Sequence, residues 1–459
     1  MRGLTSHTWV TGSWMALRTC GTGDSESAAK PRAASAESGT RQTSKTSDEI
    51  LGSKEMTSPA STSARTWGIC FLLFVATSIV YLDRQVLALT ATKIISEFGL
   101  TNEQFGQIVG AFRYSYGLVQ IFCGFLVDAY GPRIVFPVAS GAWSLVGLLT
   151  GFATTVSMLT GLRFLLGASE AFNWPCSLKA TNSLLSPKDR PLANGIFNSG
   201  GAMGALAAPL IVTWITLRWS WRAAFVITGA VGGLWVFAWL WMTKESAASL
   251  QGKQAAIKTI VQVIGRLIAM REFWILAVSS LVVNSVNYYL SDWIPLYLQT
   301  SRGFSFARGN ALSIVVYGGT FSGNLLVGLF VRALVIHGCS TVAAKRWALF
   351  AACLLMSSAI PAGLMSNGYG VVLFLAFTGI GVGAFLVIYL TLVQDLEPAY
   401  VGVSSGLLGG LSNIAYGSVS SYIGLLADRH HTNLILLLIG VLPWFAFAAI
   451  FFGPRFQRQ

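Results

Sequence analysis

Apolar positions dominate this chain from Trp67 onward, in stretches long enough to cross about 30 Å of hydrocarbon, with short polar breaks between them. The pattern predicts six spans at about 67–90, 104–127, 134–153, 157–179, 191–214 and 222–243. After a polar segment from Lys244 to Glu272, six more follow at about 273–298, 309–332, 346–365, 369–393, 402–426 and 432–453. No alternating ten-residue barrel pattern occurs, so the spans are helices. The reading is an all-α polytopic membrane protein with twelve transmembrane helices in two six-helix bundles, 66–243 and 273–453. A cytoplasmic central loop, 244–272, joins them, and 454–459 is a cytoplasmic tail.

Residues 1–65 differ in kind: they are rich in Ser, Thr, Ala and Gly, carry mixed charge and have no apolar run, as in a disordered tail. No signal-peptide core is present, and six acids (Asp24, Glu26, Glu37, Asp48, Glu49, Glu55) argue against a transit peptide. Met56 is an alternative start.

Composition sharpens this picture. With 54% hydrophobic and only 11% charged residues, the chain could not clothe several water-facing domains, which average about 25% charged. The six cysteines are scattered without disulfide or metal spacing, so neither a metal nor another cofactor is expected. The net charge of +13 does not point to nucleic acid, because most of the basic residues lie in the tail and loops. With the N-terminus inside, fourteen fall in the cytoplasmic loops and C-terminal tail against six in outer loops, with eight more in the N-terminal tail, so both termini are expected in the cytoplasm. No N-x-S/T sequon occurs, which fits a bacterial inner membrane. The halves also echo each other. Leu185-Ser-Pro187 with Gly195 matches Leu396-Glu-Pro398 with Gly406 at a shared offset of 211 residues, as a pseudo-symmetric duplicated unit would place them.

Candidate chemistry comes from charges inside spans, each costing about 2.5–3.5 kcal/mol at mid-bilayer unless paired or in a wet cavity. The first bundle carries Asp83 and Arg84, then Arg113, then Arg163 with Glu170. Three arginines face two carboxylates, and the spare positive charge suits a small anionic substrate; neutralisation among the helices themselves is the alternative. Arg163 and Glu170 are seven apart and share a helix face. Tyr81 and Tyr116 can hydrogen-bond a sugar hydroxyl and stack on its apolar face, or simply pack. Asn284, Asn287 and Asn413 can donate to a polyol or pack helices. Asp292, near the outer end of its span, can line the cavity or sit at the membrane interface, and the interface is the expectation. No His lies in a span core, so carboxylates are the candidate proton carriers.

Gly124-Phe-Leu126-Val-Asp128-Ala-Tyr-Gly131-Pro-Arg133 resembles the G-x-L-x-D-x-x-G-x-R loop of the major facilitator superfamily. That resemblance implies the major facilitator fold and a cytoplasmic gate formed by Gly124, Asp128, Gly131 and Arg133. The second-half copy, Gly328 to Arg332, has Arg where Asp would stand, so a symmetric latch is not expected. Tyr81-Leu-Asp83-Arg84 and Arg163-Phe-Leu-Leu-Gly167-Ala-Ser-Glu170 resemble motifs of the anion:cation symporters. Ala193 to Gly200 with Pro209, Trp219 to Phe225, and Trp293 to Leu298 are similar to segments of the hexuronate transporters. The resemblance implies proton-coupled symport of a sugar acid, with Asp83 and Glu170 as proton carriers. It implies that Arg84 binds the substrate carboxylate and that Arg163 couples the two acids. Arg113 departs from the family pattern and bears on substrate choice.

Other readings remain open. An uncoupled anion facilitator or exporter is one, and a non-transporting membrane sensor is another. Gly402-Val-Ser404-Ser-Gly406 matches the hydrolase G-x-S-x-G turn but opens a membrane helix, so no enzyme is expected. The expected partners are the anion, protons and the bilayer, for a monomer that binds no nucleic acid.

Overall fold

A computed structural model describes residues 64–186, 189–246, 248–251, 257–396 and 401–453. The N-terminal tail, the Met56 start and the tail from 454 therefore lie outside the described residues, apart from Ala64 and Arg65. The described residues are helical, with no strand among them.

In the first half, α1 spans Ala64–Leu89, α2 Ala91–Phe98, α3 Asn102–Tyr130, α4 Pro132–Thr150, α5 Val156–Glu170, α6 Asn173–Leu184, α7 Arg190–Arg218 and α8 Trp221–Met242. α9, Ile257–Ala269, lies inside the segment expected to be a loop. In the second half, α10 spans Arg271–Asp292, α11 Ile294–Thr300, α12 Phe306–Ile336, α13 Thr341–Met356, α14 Ala359–Leu364, α15 Gly368–Leu396, α16 Val401–Asp428 and α17 Thr432–Phe451. Eight of the described helices, and α13 with α14 taken together, are long and apolar enough to cross a bilayer. Each of the twelve predicted spans meets a helix, or a helix broken in two.

Three predicted spans are broken, and proline accounts for each break. A proline lacks the N–H that the carbonyl four residues earlier requires, and its ring crowds that carbonyl. Pro175 leaves the Ala171 carbonyl between α5 and α6, where the Cys123 thiol donates to it at 3.5 Å. Pro295 leaves the Ser291 carbonyl beside the α10–α11 break, where the Tyr317 hydroxyl donates to it at 3.2 Å. Pro361 likewise removes the donor to Ser357 at the α13–α14 break, where the Ile360 amide donates to that carbonyl instead at 3.0 Å. Side-chain caps begin other helices: Thr101 and Gln104 form a reciprocal capping box on α3, and Thr155, Ser220, Ser305 and Ser340 cap α5, α8, α12 and α13.

Large apolar side chains cover the outside, among them Phe237 at 72% and Trp241 at 75% exposure, as lipid-facing helices require. Inside, helices meet where glycine permits it. A Cβ on Gly106, Gly110 or Gly117 of α3 would stand 2.4, 2.8 or 2.6 Å from a backbone oxygen of α16. Those contacts join the two halves, and a side chain at any of the three would force them apart.

Hydrogen bonds between described residues of the two halves cluster at the end carrying Glu97. Asn310 donates to the Leu89 carbonyl at 3.1 Å and to the Thr213 hydroxyl at 2.9 Å. The Thr92 hydroxyl donates to Gln299 at 2.7 Å, and Gln85 donates to the Ser291 hydroxyl at 2.7 Å. Towards the end carrying Asp128, they stop at Asn413 and Gln120, 3.5 Å apart.

Candidate substrate and coupling site

Between them, α1, α3, α5 and α10 line a small, partly open cavity. Arg84, Leu87, Ala88, Val109, Phe112, Arg113, Arg163 and Asp292 line it. The close packing of α5 on α3 is set by Gly167, whose Cβ would stand 2.2 Å from the Phe112 carbonyl oxygen. Gly167 sits between Arg163 and Glu170 in sequence, so the residue that lets the helices touch also brings both charges against α3.

Arg84 Nε donates to Glu170 Oε2 at 2.6 Å, with the glutamate side chain fully enclosed. The guanidinium carbon lies 4.6, 5.1 and 5.5 Å from the ring centres of Tyr116, Tyr81 and Phe112. Rings at that range favour a cation, so the aromatic shell supports Arg84 whether or not the carboxylate is charged. Glu170 Oε1 has no hydrogen-bond partner.

Asp83, next in the chain, points elsewhere, as neighbours about 100° apart on a helix must. It is 3% exposed, and neither of its oxygens receives a hydrogen bond. Thr228 is beside it, but that hydroxyl donates to the Phe225 carbonyl at 3.3 Å. Arg163 is 1% exposed, with its guanidinium carbon 4.8 Å from the Phe225 ring centre and Nε and one terminal nitrogen unpartnered. Among the described residues Arg163 has no ion pair within 4.0 Å. An enclosed charge without partners is costly, so this corner holds polar groups that packing alone does not explain.

Asp292 is not at an interface. It is 8% exposed and accepts from Arg113 three times, at 2.8, 2.9 and 3.3 Å, from across the boundary between the halves. The arginine lies over Tyr288 at 3.8 Å. The spare positive charge read from the sequence is therefore balanced in number: two arginines pair with Glu170 and Asp292, and Arg163 and Asp83 remain unpaired among the described residues. The available signal was Tyr288 standing four residues before Asp292, which puts an aromatic ring and an acid on one helix face.

The asparagines sit apart from this cluster. Asn284 donates to the Ser280 carbonyl at 3.0 Å and to its hydroxyl at 3.1 Å, within α10. Asn413 is buried at the α3–α16 seam, donating to the Gly409 carbonyl at 3.0 Å while its own oxygen stays unpartnered. Asn287 is half-buried on α10. Ser404, of the G-x-S-x-G match, is enclosed within α16 with no partner for its hydroxyl.

At the far end, Lys179 Nζ of α6 donates to Asp128 at 2.6 Å, so the loop acid is held by its own half. Gly131 has φ 80°, a value that favours glycine, and turns the chain from α3 into α4. Gly124 has open space where a Cβ would stand, and the Arg133 amide donates to the Leu250 carbonyl at 3.5 Å. The second half carries an ion pair of reversed polarity: Lys345 at the start of α13 donates to Asp395 at the end of α15 at 2.8 Å.

Long lipid-facing helices around a charged cavity between two bundles define a multi-pass integral membrane transporter. The chain belongs to the Major Facilitator Superfamily, whose family model matches residues 73–417. It is 28% identical to the probable galactarate/D-glucarate transporter of Escherichia coli (strain K12), over 81% of this chain and 90% of that one. It is 26% identical to the hexuronate transporter of the same strain, over 84% and 91%. It is 27% identical to the D-galactonate transporter of Escherichia coli O6:H1, over 78% and 88%. Among solved structures, a bacterial homologue of the human lysosomal transporter Spinster superposes with TM-score 0.69 at 19% identity, covering 86% of this chain and 98% of that one. A D-xylose–proton symporter superposes with TM-score 0.69 at 13% identity, covering 85% and 98%. Both share the fold.

Proposed function

We propose that this protein is a proton-coupled symporter of a sugar acid, a hexuronate or aldonate, working by alternating access in a bacterial inner membrane. Both termini and the Asp128 end face the cytoplasm in this reading, and the monomer is the working unit. The observation that carries it is the Arg84–Glu170 pair, 2.6 Å apart beside the central cavity. A guanidinium held by a carboxylate is a switch. When Glu170 takes a proton, Arg84 is free to grip a substrate carboxylate through two parallel hydrogen bonds. Proton and substrate then favour each other's binding, which is the energetic content of symport. Asp83 is the second proton carrier, and Arg163 senses both acids. Tyr81 and Tyr116 meet the sugar ring, while Asn284 and Asn413 meet its hydroxyls as the halves rearrange.

Relatives that transport galactarate or D-glucarate, hexuronate and D-galactonate support the substrate class. Closure by hydrogen bonds at the Glu97 end supports a substrate path towards the Asp128 end. Counterflow in proteoliposomes, screened over glucuronate, galacturonate and galactonate with and without an imposed proton gradient, tests the reading. Accumulation that follows the gradient supports it. Exchange indifferent to the gradient would leave an uncoupled facilitator instead.

A further inference from the structure

A second arginine–carboxylate pair, Arg113 and Asp292, lines the cavity that Arg84 also borders. Its members come from opposite halves, whereas Arg84 and Glu170 belong to one. The two guanidinium carbons lie 5.5 and 5.6 Å from the centre of one ring, Phe112, so they are no more than about 11 Å apart. An extended six-carbon chain places its terminal carbons about 6.3 Å apart, from standard bond lengths. A bidentate carboxylate adds about 4 Å at each end to the guanidinium carbon. The extended reach, about 14 Å, exceeds the separation of the arginines, so a six-carbon diacid touches both when its chain is bent or its ends meet them at an angle, and a shorter diacid does so more nearly extended.

We propose that Arg113 and Asp292 form a second carboxylate subsite, which extends the substrate class proposed above to aldarates and binds a sugar acid with an anionic group at both ends more tightly than a hexuronate or aldonate. The inference rests on the reading of Arg84 as the grip for the first carboxylate. Each arginine exchanges its resident carboxylate for one of the substrate's, and the resident acid takes a proton from solution when it is released. Arg113 is pre-oriented for this by the face of Tyr288 at 3.8 Å, which holds the guanidinium plane when Asp292 leaves. Tyr416, whose ring centre is 5.7 Å from the same guanidinium carbon, is enclosed with an unpartnered hydroxyl, a donor left over beside the pair. A purely structural ion pair would be expected in packed interior, whereas both members of this one border the cavity. Because the pair spans the halves, capture of Arg113 by substrate also removes a tie between α3 and α10.

The test is calorimetry on the purified full chain, comparing galactarate with galactonate, which share a carbon skeleton and differ in a terminal carboxylate. The wild type should bind the diacid about tenfold or more tightly, the worth of one charge-assisted contact. In Arg113→Gln/Asp292→Asn, which removes both charges together and leaves neither buried alone, that ratio should fall to about threefold or less. Asp292→Asn alone keeps Arg113 and should preserve or widen the wild-type ratio. A wild-type ratio near one, a ratio kept by the double variant, or a ratio lost in Asp292→Asn would each overturn the subsite. Failure of the wild type to bind either acid would instead overturn the reading of Arg84. Galactonate binding with no advantage for galactarate would leave that reading standing and remove only this one.

Discussion

Glu170 accepts a hydrogen bond from Arg84 across 86 residues of sequence, at 2.6 Å, while Asp83, adjacent to Arg84, receives none. One acid is tied to the arginine and the other is not, although both are buried in the same bundle. That asymmetry separates what substitutions at the two arginine-side positions should do.

Glu170→Gln keeps the shape and can still accept from Arg84, but it cannot gain or release a proton. Proton-driven accumulation should be abolished while substrate exchange survives in part. Uphill accumulation at the wild-type level in vesicles would remove Glu170 from coupling.

Arg84→Lys replaces a planar fork with a point charge inside a shell of three aromatic rings. Affinity for sugar acids should fall about tenfold or more, since one charge-assisted bond is worth about 1.5–3 kcal/mol. Neutral sugars should not bind either form. Near wild-type binding by calorimetry would mean that Arg84 serves the fold, and would move the substrate contact to Arg163 or Arg113.

Asp128→Asn weakens the pairing with Lys179, and Lys179→Gln should give the same phenotype from the other side. Both variants should turn over more slowly with little change in substrate affinity. A large affinity loss at normal turnover would place Asp128 at the substrate site.

Asp428, at the end of α16, accepts from the backbone amides of Asn102 and Glu103 at 3.0 Å each, capping the start of α3 from the opposite half. A carboxylate there also meets the positive end of the helix dipole. Asp428→Asn should loosen closure at the Glu97 end. Spin labels at Lys93 and His430 should report a larger population of long distances, and an unchanged distribution would assign the closure to the Asn310 and Gln299 contacts.

Glu97, on α2 outside the spans, accepts from the Trp221 indole and the Arg222 guanidinium at 2.5 Å each. The Trp221 hydrogen bond, aided by Arg222, holds its carboxyl below the ordinary glutamate range. A group depressed on folding contributes stability that is fully present above its unfolded pKa and is lost as pH falls through the lower folded value. Thermal unfolding followed down a pH series should lose part of its acid-side decline in Glu97→Gln. Identical slopes for the two proteins would show that Glu97 does not contribute.

The twelve apolar stretches were legible because burial in lipid leaves a run of side chains that any window along the chain can read. The breaks within three of them were less so. Pro175, Pro295 and Pro361 were visible in the sequence, but a proline inside a span can kink or divide it, depending on what its freed carbonyl finds. Tyr317, which meets the Ser291 carbonyl, is on another helix altogether.

Charge was read correctly as to where it lay and incompletely as to how it balanced. Arg84, Arg113, Arg163, Asp83 and Glu170 stood out because an ionisable group inside an apolar run is locally anomalous. Asp292 lies near the end of its run, where an acid at a membrane interface looks the same. Its partner is 179 residues away, in the other half. The sequence by itself determined the helices, the motif loop and the residues able to carry chemistry, since these depend on neighbours along the chain. Only the tertiary structure decided which arginine meets which acid, because pairing depends on how α3, α5 and α10 pack, and glycines such as Gly167 permit that approach without naming the partner.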